Sequence, residues 1–275
     1  MAKPLIIICF FTFTIHMTET LAYCMRLAGL RTRQIAISMS FVTSTLLISR
    51  LSNMFQAPLL GTMVDGAILS HADQALVHLE WSFRLVILFG FLGSLMGAFL
   101  TPTAVYLFER AIRRFLHHGS LPRLFASAFI PRNFIKIIKA FRLPKFASLK
   151  RVRLSNLPKT FLIMNVVVTS VYTIGVLCSL LAGAYIPQMR STANQLSGIV
   201  NGMATILLTV FVDPSGARIT DQAFHGVRSE EDVRSVVFFM QVTRLLGTLV
   251  IAQLFFDPFA KYIMWVTQCL AKLLV

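Results

Sequence analysis

TFLIMNVVVTSVYTIGVLCSLLAGAYI, residues 160–186, runs for 27 residues without one Asp, Glu, Lys or Arg. A hydrocarbon core about 30 Å thick is crossed by about 20 apolar residues of helix, so this stretch predicts a membrane span. Five further segments meet the same criterion, near 4–23, 35–60, 83–108, 195–212 and 233–256. The expected fold is an all-α polytopic membrane protein of about six transmembrane helices. Composition agrees: 13% of residues are charged, against roughly 25% in soluble domains, too few to cover a water-exposed surface. The tail 259–275 is apolar but short. It reads either as an interfacial helix or as an extension of the last span past Asp257-Pro258. Residues 4–15 resemble the apolar part of a signal peptide, but Lys3 is the lone basic flank and no A-x-A-like site follows, so they read as a retained first span.

Working outward, the loops set orientation. Segment 109–159 carries 13 Lys and Arg against the single acid Glu109, and 24–34 carries Arg26, Arg31 and Arg33 with no acid. Segment 61–82 carries Asp65, Asp73 and Glu80 and no Lys or Arg. The positive-inside rule then places 24–34, 109–159 and 213–232 in the cytoplasm and both termini outside, with Lys261 and Lys272 against the trend. The spans are thereby arranged 3+3 around a long basic cytoplasmic loop, within a single membrane domain 1–275: a first three-helix half over 1–108, the loop 109–159, and a second half over 160–275. Opposed halves are the geometry of inverted-repeat transporters, here without a residue-level repeat. Within the loop, Pro131 and Pro144 bracket a helix. Phe134, Ile137, Ile138 and Phe141 fall on one face and Arg132, Lys136 and Lys139 on the other, which predicts an interfacial helix against anionic lipid.

The net charge of +15 points to nucleic acid, anionic lipid or a phosphate-bearing substrate. Nucleic acid is the weakest of these in so apolar a chain, with no RNP, helix-turn-helix or zinc-finger pattern, and none is expected. Cys9, Cys24, Cys178 and Cys269 form no CxxC and read as small hydrophobes. P-loop, GxSxG and HExxH patterns are absent from the sequence. His71, Asp73, His78 and Glu80 match no metal-site spacing and read as a solvated loop. Neither metal nor cofactor is expected.

Ionisable groups inside spans cost roughly 2.5–3.5 kcal/mol each on insertion scales and so draw the search for a site. The second span is the densest. Arg50, Asn53 and Gln56 share one broad sector ahead of Pro58, with Arg50 roughly 23 Å along the helix from its cytoplasmic start at 1.5 Å per residue, in the outer half. They form a candidate binding patch in a cavity, or else a polar seam between helices. The sixth span carries Gln241 and Arg244 one turn apart. Arg244, near the midplane, is either a cavity cation or one half of a structural ion pair with Glu19 or another acid. Glu19, in the first span beside His16, Thr18 and Thr20, is the acid clearly within a span, and it pairs with an arginine or binds a proton. Ser197, Asn201 and Thr205 make a stripe along the fifth span facing the bundle, more typical of helix packing than of a pathway.

Two long stretches carry a family resemblance. TETLAYCMRLAGLRTRQIAISMSFVTSTLLISRLSNMFQAPLLG (18–61) contains ETLAY, then RLAGLRT, then SRLSNMFQAPLL. The second half contains SGIVNGMATILLTVFVDP (197–214), DQAFHGVRSE (221–230) and TRLLGT (243–248). Together they resemble the Amj family, the alternate lipid II flippases of Gram-positive bacteria. The resemblance covers most of the chain, and the central basic loop is its least distinctive part. It implies a transporter in the cytoplasmic membrane, with no enzyme chemistry, moving lipid II (an undecaprenyl diphosphate bearing a disaccharide-pentapeptide) from the inner to the outer leaflet. Peptidoglycan-synthesis proteins are then expected partners. A diphosphate crossing a bilayer needs fixed cations, and arginine offers bidentate donors. Arg50 and Arg244, with Asn53, Gln56, Glu19, Gln241 and Asn201 around them, are expected to line one central cavity. The few acids in the spans would leave the two arginines without neutralisation until substrate arrives. Arg26, Arg31 and Arg33 would meet the headgroup at the cytoplasmic entrance. A transporter of another polyprenyl lipid or anion, or a non-transporting scaffold for cell-wall synthesis, remains the alternative reading.

Overall fold

The computed structural model describes residues 2–70, 73–120, 139–144, 152–154 and 157–274. Ten α-helices account for nearly all of them: α1 (Ala2–Ala22), α2 (Cys24–Thr32), α3 (Ile35–Leu69), α4 (Asp73–Phe99), α5 (Thr101–His118), α6 (Lys159–Tyr185), α7 (Arg190–Leu207), α8 (Asp213–Phe224), α9 (Glu230–Leu246) and α10 (Ala252–Leu274). Short π-helical segments, Leu208–Val212 and Gly247–Ile251, join α7 to α8 and α9 to α10 without a break. Six continuous helical stretches are long and apolar enough to cross a membrane: Pro4–Thr32, Ile35–Leu69, Gln74–Phe99, Lys159–Tyr185, Pro187–Phe224 and Glu230–Leu273. The protein is a multi-pass, all-α membrane protein.

The boundaries differ from expectation in ways that carry a physical reason. The third span is shifted toward the N-terminus, over α4 instead of 83–108, and the expected outer loop 61–82 is largely helix. Residues 61–69 continue α3 through Pro58, and α4 holds Glu80 and Arg84 as an i,i+4 pair 3.2 Å apart, so neither charge has to face hydrocarbon alone. Helix α4 stops at Leu100, where Thr101-Pro102 starts the amphipathic α5; proline suits the first turn of a helix and not its interior. The expected inner loop 213–232 is mostly α8, followed by a turn at Gly226, whose φ of 78° suits glycine, and by a capping box at Ser229 and Asp232. The tail past Pro258 is a direct continuation of the last span. The interfacial helix expected over 131–143 lies outside the described residues, except 139–143.

Helix α1 packs on α3 and α4, and α6 packs on α7, α9 and α10. Glycine sets how closely α1 and α4 approach. A Cβ on Gly93 would collide with the Phe13 carbonyl, and one on Gly97 would lie 2.8 Å from Thr20 Cβ; small residues allow such contact between membrane helices. The largest core cluster joins Leu60, Val64, Phe83, Leu177, Leu181 and Phe256 from four helices. Helix ends fall into two sets. Around α2, α5, α8 and the start of α9 lies a basic end. Arg31 there pairs with Glu109 and Glu230 at 3.0 and 2.7 Å, and the buried Arg26 with Asp213 at 3.0 Å. At the opposite end Arg190 at the start of α7 pairs with Asp65 near the end of α3. Both tryptophans, Trp81 and Trp265, are exposed on the far portions of α4 and α10, where interfacial aromatic belts sit.

Candidate functional site

Burial changes along α3 and α6. On α3, Leu60 and Val64 are buried. Ala57, Asn53 and Arg50, stepping three or four residues at a time along the same side, are exposed. On α6, Leu181, Leu177, Ile174 and Ser170 are buried, and Val167 and Ile163, which continue that stripe, are exposed. The α6 stripe is covered in the half away from the basic end and uncovered toward it; on α3 the uncovered stripe of Ala57, Asn53 and Arg50 runs beside a row that stays buried through Gln56, Ser52, Ser49, Thr45 and Phe41.

Arg50 stands on the uncovered stripe. No hydrogen bond or ion pair holds it among the described residues. Its depth is corrected by the length of α3. Leu69 ends the helix 19 residues later, about 28 Å at 1.5 Å per residue. The first turns of α3 pack against α2 and α5 through Ser38 and Phe41. Arg50 therefore lies in the half of the span nearer the basic end, not in the other half.

Arg244 is elsewhere. It is buried in the bundle, with Nη2 2.5 Å from Glu19 Oε2 and 3.1 Å from His16 Nδ1, Nε 3.3 Å from Ser94 Oγ, and Nη1 3.5 Å from Tyr23 Oη. Ser49 donates to the other Glu19 oxygen at 2.9 Å. Four helices thus converge on one carboxylate and one guanidinium. The expectation that Arg244 stays without neutralisation is overturned, and the structural pair with Glu19 is what forms. Arg50 follows Ser49 in the chain but points away, so the two arginines do not share this cluster. The premise of few acids also fails: Asp65, Glu80 and Asp257 all lie in spanning helices and each meets an arginine.

The remaining expected site residues disperse. Gln56 is buried and donates 2.5 Å to Thr12, locking α3 to α1. Gln241 donates to Thr101 at 2.7 Å, holding α9 to the start of α5. Asn201 packs on α6, where a Cβ on Gly175 would lie 2.7 Å from its side-chain oxygen. Thr205 meets Tyr172. Arg26, Arg31 and Arg33 are all engaged by the protein. Beyond the ion pairs above, Arg33 donates 2.7 Å to the Phe224 carbonyl and sits 5.3 Å over the Phe224 ring. That anchorage accounts for its left-handed φ of 56°, which costs a non-glycine residue about 1 kcal/mol or more. Sequence reading missed Arg84, which binds Glu80, Asp257 and both the carbonyl and the side chain of Gln253. The i,i+4 spacing of Glu80 and Arg84 was the available signal.

The chain matches the Amj family, described as alternate to MurJ, over residues 11–267. The chain belongs to the Amj family. A curated relative from Bacillus subtilis (strain 168), the lipid II flippase Amj, is 38% identical over 267 residues, covering 97% of each chain. No solved structure matches. The segments ETLAY, SRLSN and TRLLGT that carry the Amj resemblance supply Glu19, Ser49 and Arg244 to the buried cluster of this Amj-family protein.

Proposed function

We propose that this protein is a lipid II flippase of the cytoplasmic membrane, moving the undecaprenyl-diphosphate-linked precursor from the inner to the outer leaflet. It acts as a transporter, without covalent chemistry. Family membership and the flippase activity named for the Bacillus relative support this reading. The observation that carries its site is Arg50: a guanidinium inside a span, on an uncovered stripe, with no hydrogen bond or ion pair among the described residues. A lone cation in hydrocarbon is costly, and an anionic headgroup supplies what is missing. In the orientation with both termini outside, Arg50 sits toward the inner leaflet, where the diphosphate of the precursor starts. Asn53 lies one turn away on the same stripe. The prenyl tail stays in lipid while the head is drawn against α3 and α6.

Arg110, Arg113, Lys139 and Arg142 form an exposed basic surface at the same end, with Arg142 stacked 3.9 Å over Tyr106; this surface meets anionic lipids. Proteins of peptidoglycan synthesis are its expected neighbours. The division into two halves about 109–159 belongs to the same reading and is favoured by the packing of α1 with α3 and α4, and of α6 with α7 and α10. The test is leaflet-resolved detection of lipid II in cells that depend on this protein alone. Depleting it should leave lipid II at the inner leaflet. Unchanged outer-leaflet lipid II would refute the function.

A further inference from the structure

The cluster on α1 and α9 holds a second, separate chemistry. Glu19 and Arg244 neutralise one another inside the bundle, yet the Glu19 side chain is 33% exposed while that of Arg244 is 8% exposed. The carboxylate is the more exposed member of the pair and the guanidinium the more buried one. Arg244 only donates, so His16 Nδ1, 3.1 Å from Arg244 Nη2, must accept. That makes His16 neutral, its one ring proton on Nε2, packed on α4 where a Cβ on Gly90 would lie 3.0 Å from that nitrogen.

Four of the packed helices contribute a group to the cluster. From α1 come His16 and Glu19, with Tyr23 just past its end; from α3, Ser49; from α4, Ser94; from α9, Arg244. Among the charged neighbours, Arg50 points to the uncovered stripe and Arg26 is turned to Asp213. One acid therefore balances one base, and three hydroxyl groups, those of Ser49, Ser94 and Tyr23, fix the geometry.

We propose that Glu19 is a proton-binding site coupled to Arg244, loaded together with an anionic lipid headgroup; this rests on the transport reading above. A proton added to Glu19 Oε2 gives a neutral carboxyl. The ion pair is lost, no other bond breaks, and the cluster gains one positive charge on a buried guanidinium. A buried cation without a counter-ion is strongly unfavourable, so the protonated state attracts a phosphate oxygen that the resting state does not need. Coupling of this kind is reciprocal: the headgroup raises the proton affinity by the factor by which the proton raises headgroup affinity. Ser49 reaches the cluster and Arg50, its neighbour in the chain, the stripe, so α3 carries both the group that holds Glu19 and the cation that meets the diphosphate. His16 keeps its acceptor on Arg244 throughout and is a positioning residue.

Two measurements on the purified full chain decide this. The first is a pH-difference infrared titration without lipid. A carboxyl C=O band rising on acidification in wild type, lost in Glu19→Gln and kept in Glu19→Asp, supports the site; identical spectra for wild type and Glu19→Gln overturn it. The second is proton uptake in weakly buffered detergent on addition of undecaprenyl diphosphate. Wild type should take up about one proton per lipid bound, the stoichiometry that a single linked site gives, and Glu19→Gln should bind lipid without uptake. Equal uptake by the two proteins overturns the coupling. If wild type binds no lipid, the transport reading fails and the infrared titration alone judges the proton site. Glu19→Gln keeps both hydrogen-bond partners, and melting of that variant checks that it is folded.

Discussion

Arg84 Nη2 on α4 lies 2.6 Å from Asp257 Oδ2 on α10, directly before Pro258. The same guanidinium donates 3.1 Å to the Gln253 carbonyl, and Gln253 Nε2 donates 2.9 Å back to the Arg84 carbonyl. Proline takes one backbone donor out of α10, and Arg84 fastens the helix over the turn that leads into that interruption. Neutralising one partner leaves the other charge inside the span. Arg84→Gln and Asp257→Asn should each lower stability in detergent by about 2 kcal/mol, the scale of hydrogen bonds to charged groups. The double variant should cost less than the sum of the two. Melting of the single and double variants in a double-mutant cycle measures this; strict additivity would show that the two residues do not interact.

Arg50 and Arg244 should separate by phenotype. Arg50 has no partner to lose among the described residues, so Arg50→Gln should abolish complementation in cells lacking other flippases while protein level and melting stay at wild-type values. Arg50→Lys should retain part of the activity, because lysine keeps the charge without the planar fork.

Arg244→Gln should behave differently, because it strands Glu19. Breaking a buried pair from one side costs about 3–5 kcal/mol, so membrane accumulation should fall along with activity. Glu19→Gln with Arg244→Gln should regain accumulation without regaining transport. Restored transport in that double variant would remove the pair from the mechanism.

Gly93 should tolerate no side chain. A Cβ there meets a backbone carbonyl, that of Phe13, which has no rotamer to yield. Gly93→Leu should cost about 3 kcal/mol, at the upper end for overpacking, or prevent accumulation. Gly198→Leu, placed where nothing lies within 4 Å, should be mild. Fluorescence-detected chromatography of the two variants compares them.

Orientation is open to labelling. Ser70→Cys at the end of α3 should react with an impermeant thiol reagent in intact cells, and Ser148→Cys in the basic segment should not. The converse pattern would invert the topology, and with it the leaflet from which Arg50 collects its ligand.

The sequence by itself determined the class of molecule, the number of spans and the family. Runs such as 160–186 exceed what any soluble core requires, and the burial of apolar surface in lipid depends on local composition alone. It also marked Glu19, Arg50 and Arg244 as groups whose charge needs an explanation. Only the tertiary structure decided which charge answers which. Glu19 and Arg244 are 225 residues apart in the chain and Arg84 and Asp257 173 apart, and no periodicity on a single helix encodes a contact across the bundle. The same limit misplaced the ends of α3 and α4: hydropathy penalises Asp65, Glu80 and Arg84 as if each met hydrocarbon alone, whereas ion pairs to Arg190 and Asp257 remove that cost. A charge in a span is expensive only until its partner is known, and that partner is a property of the fold.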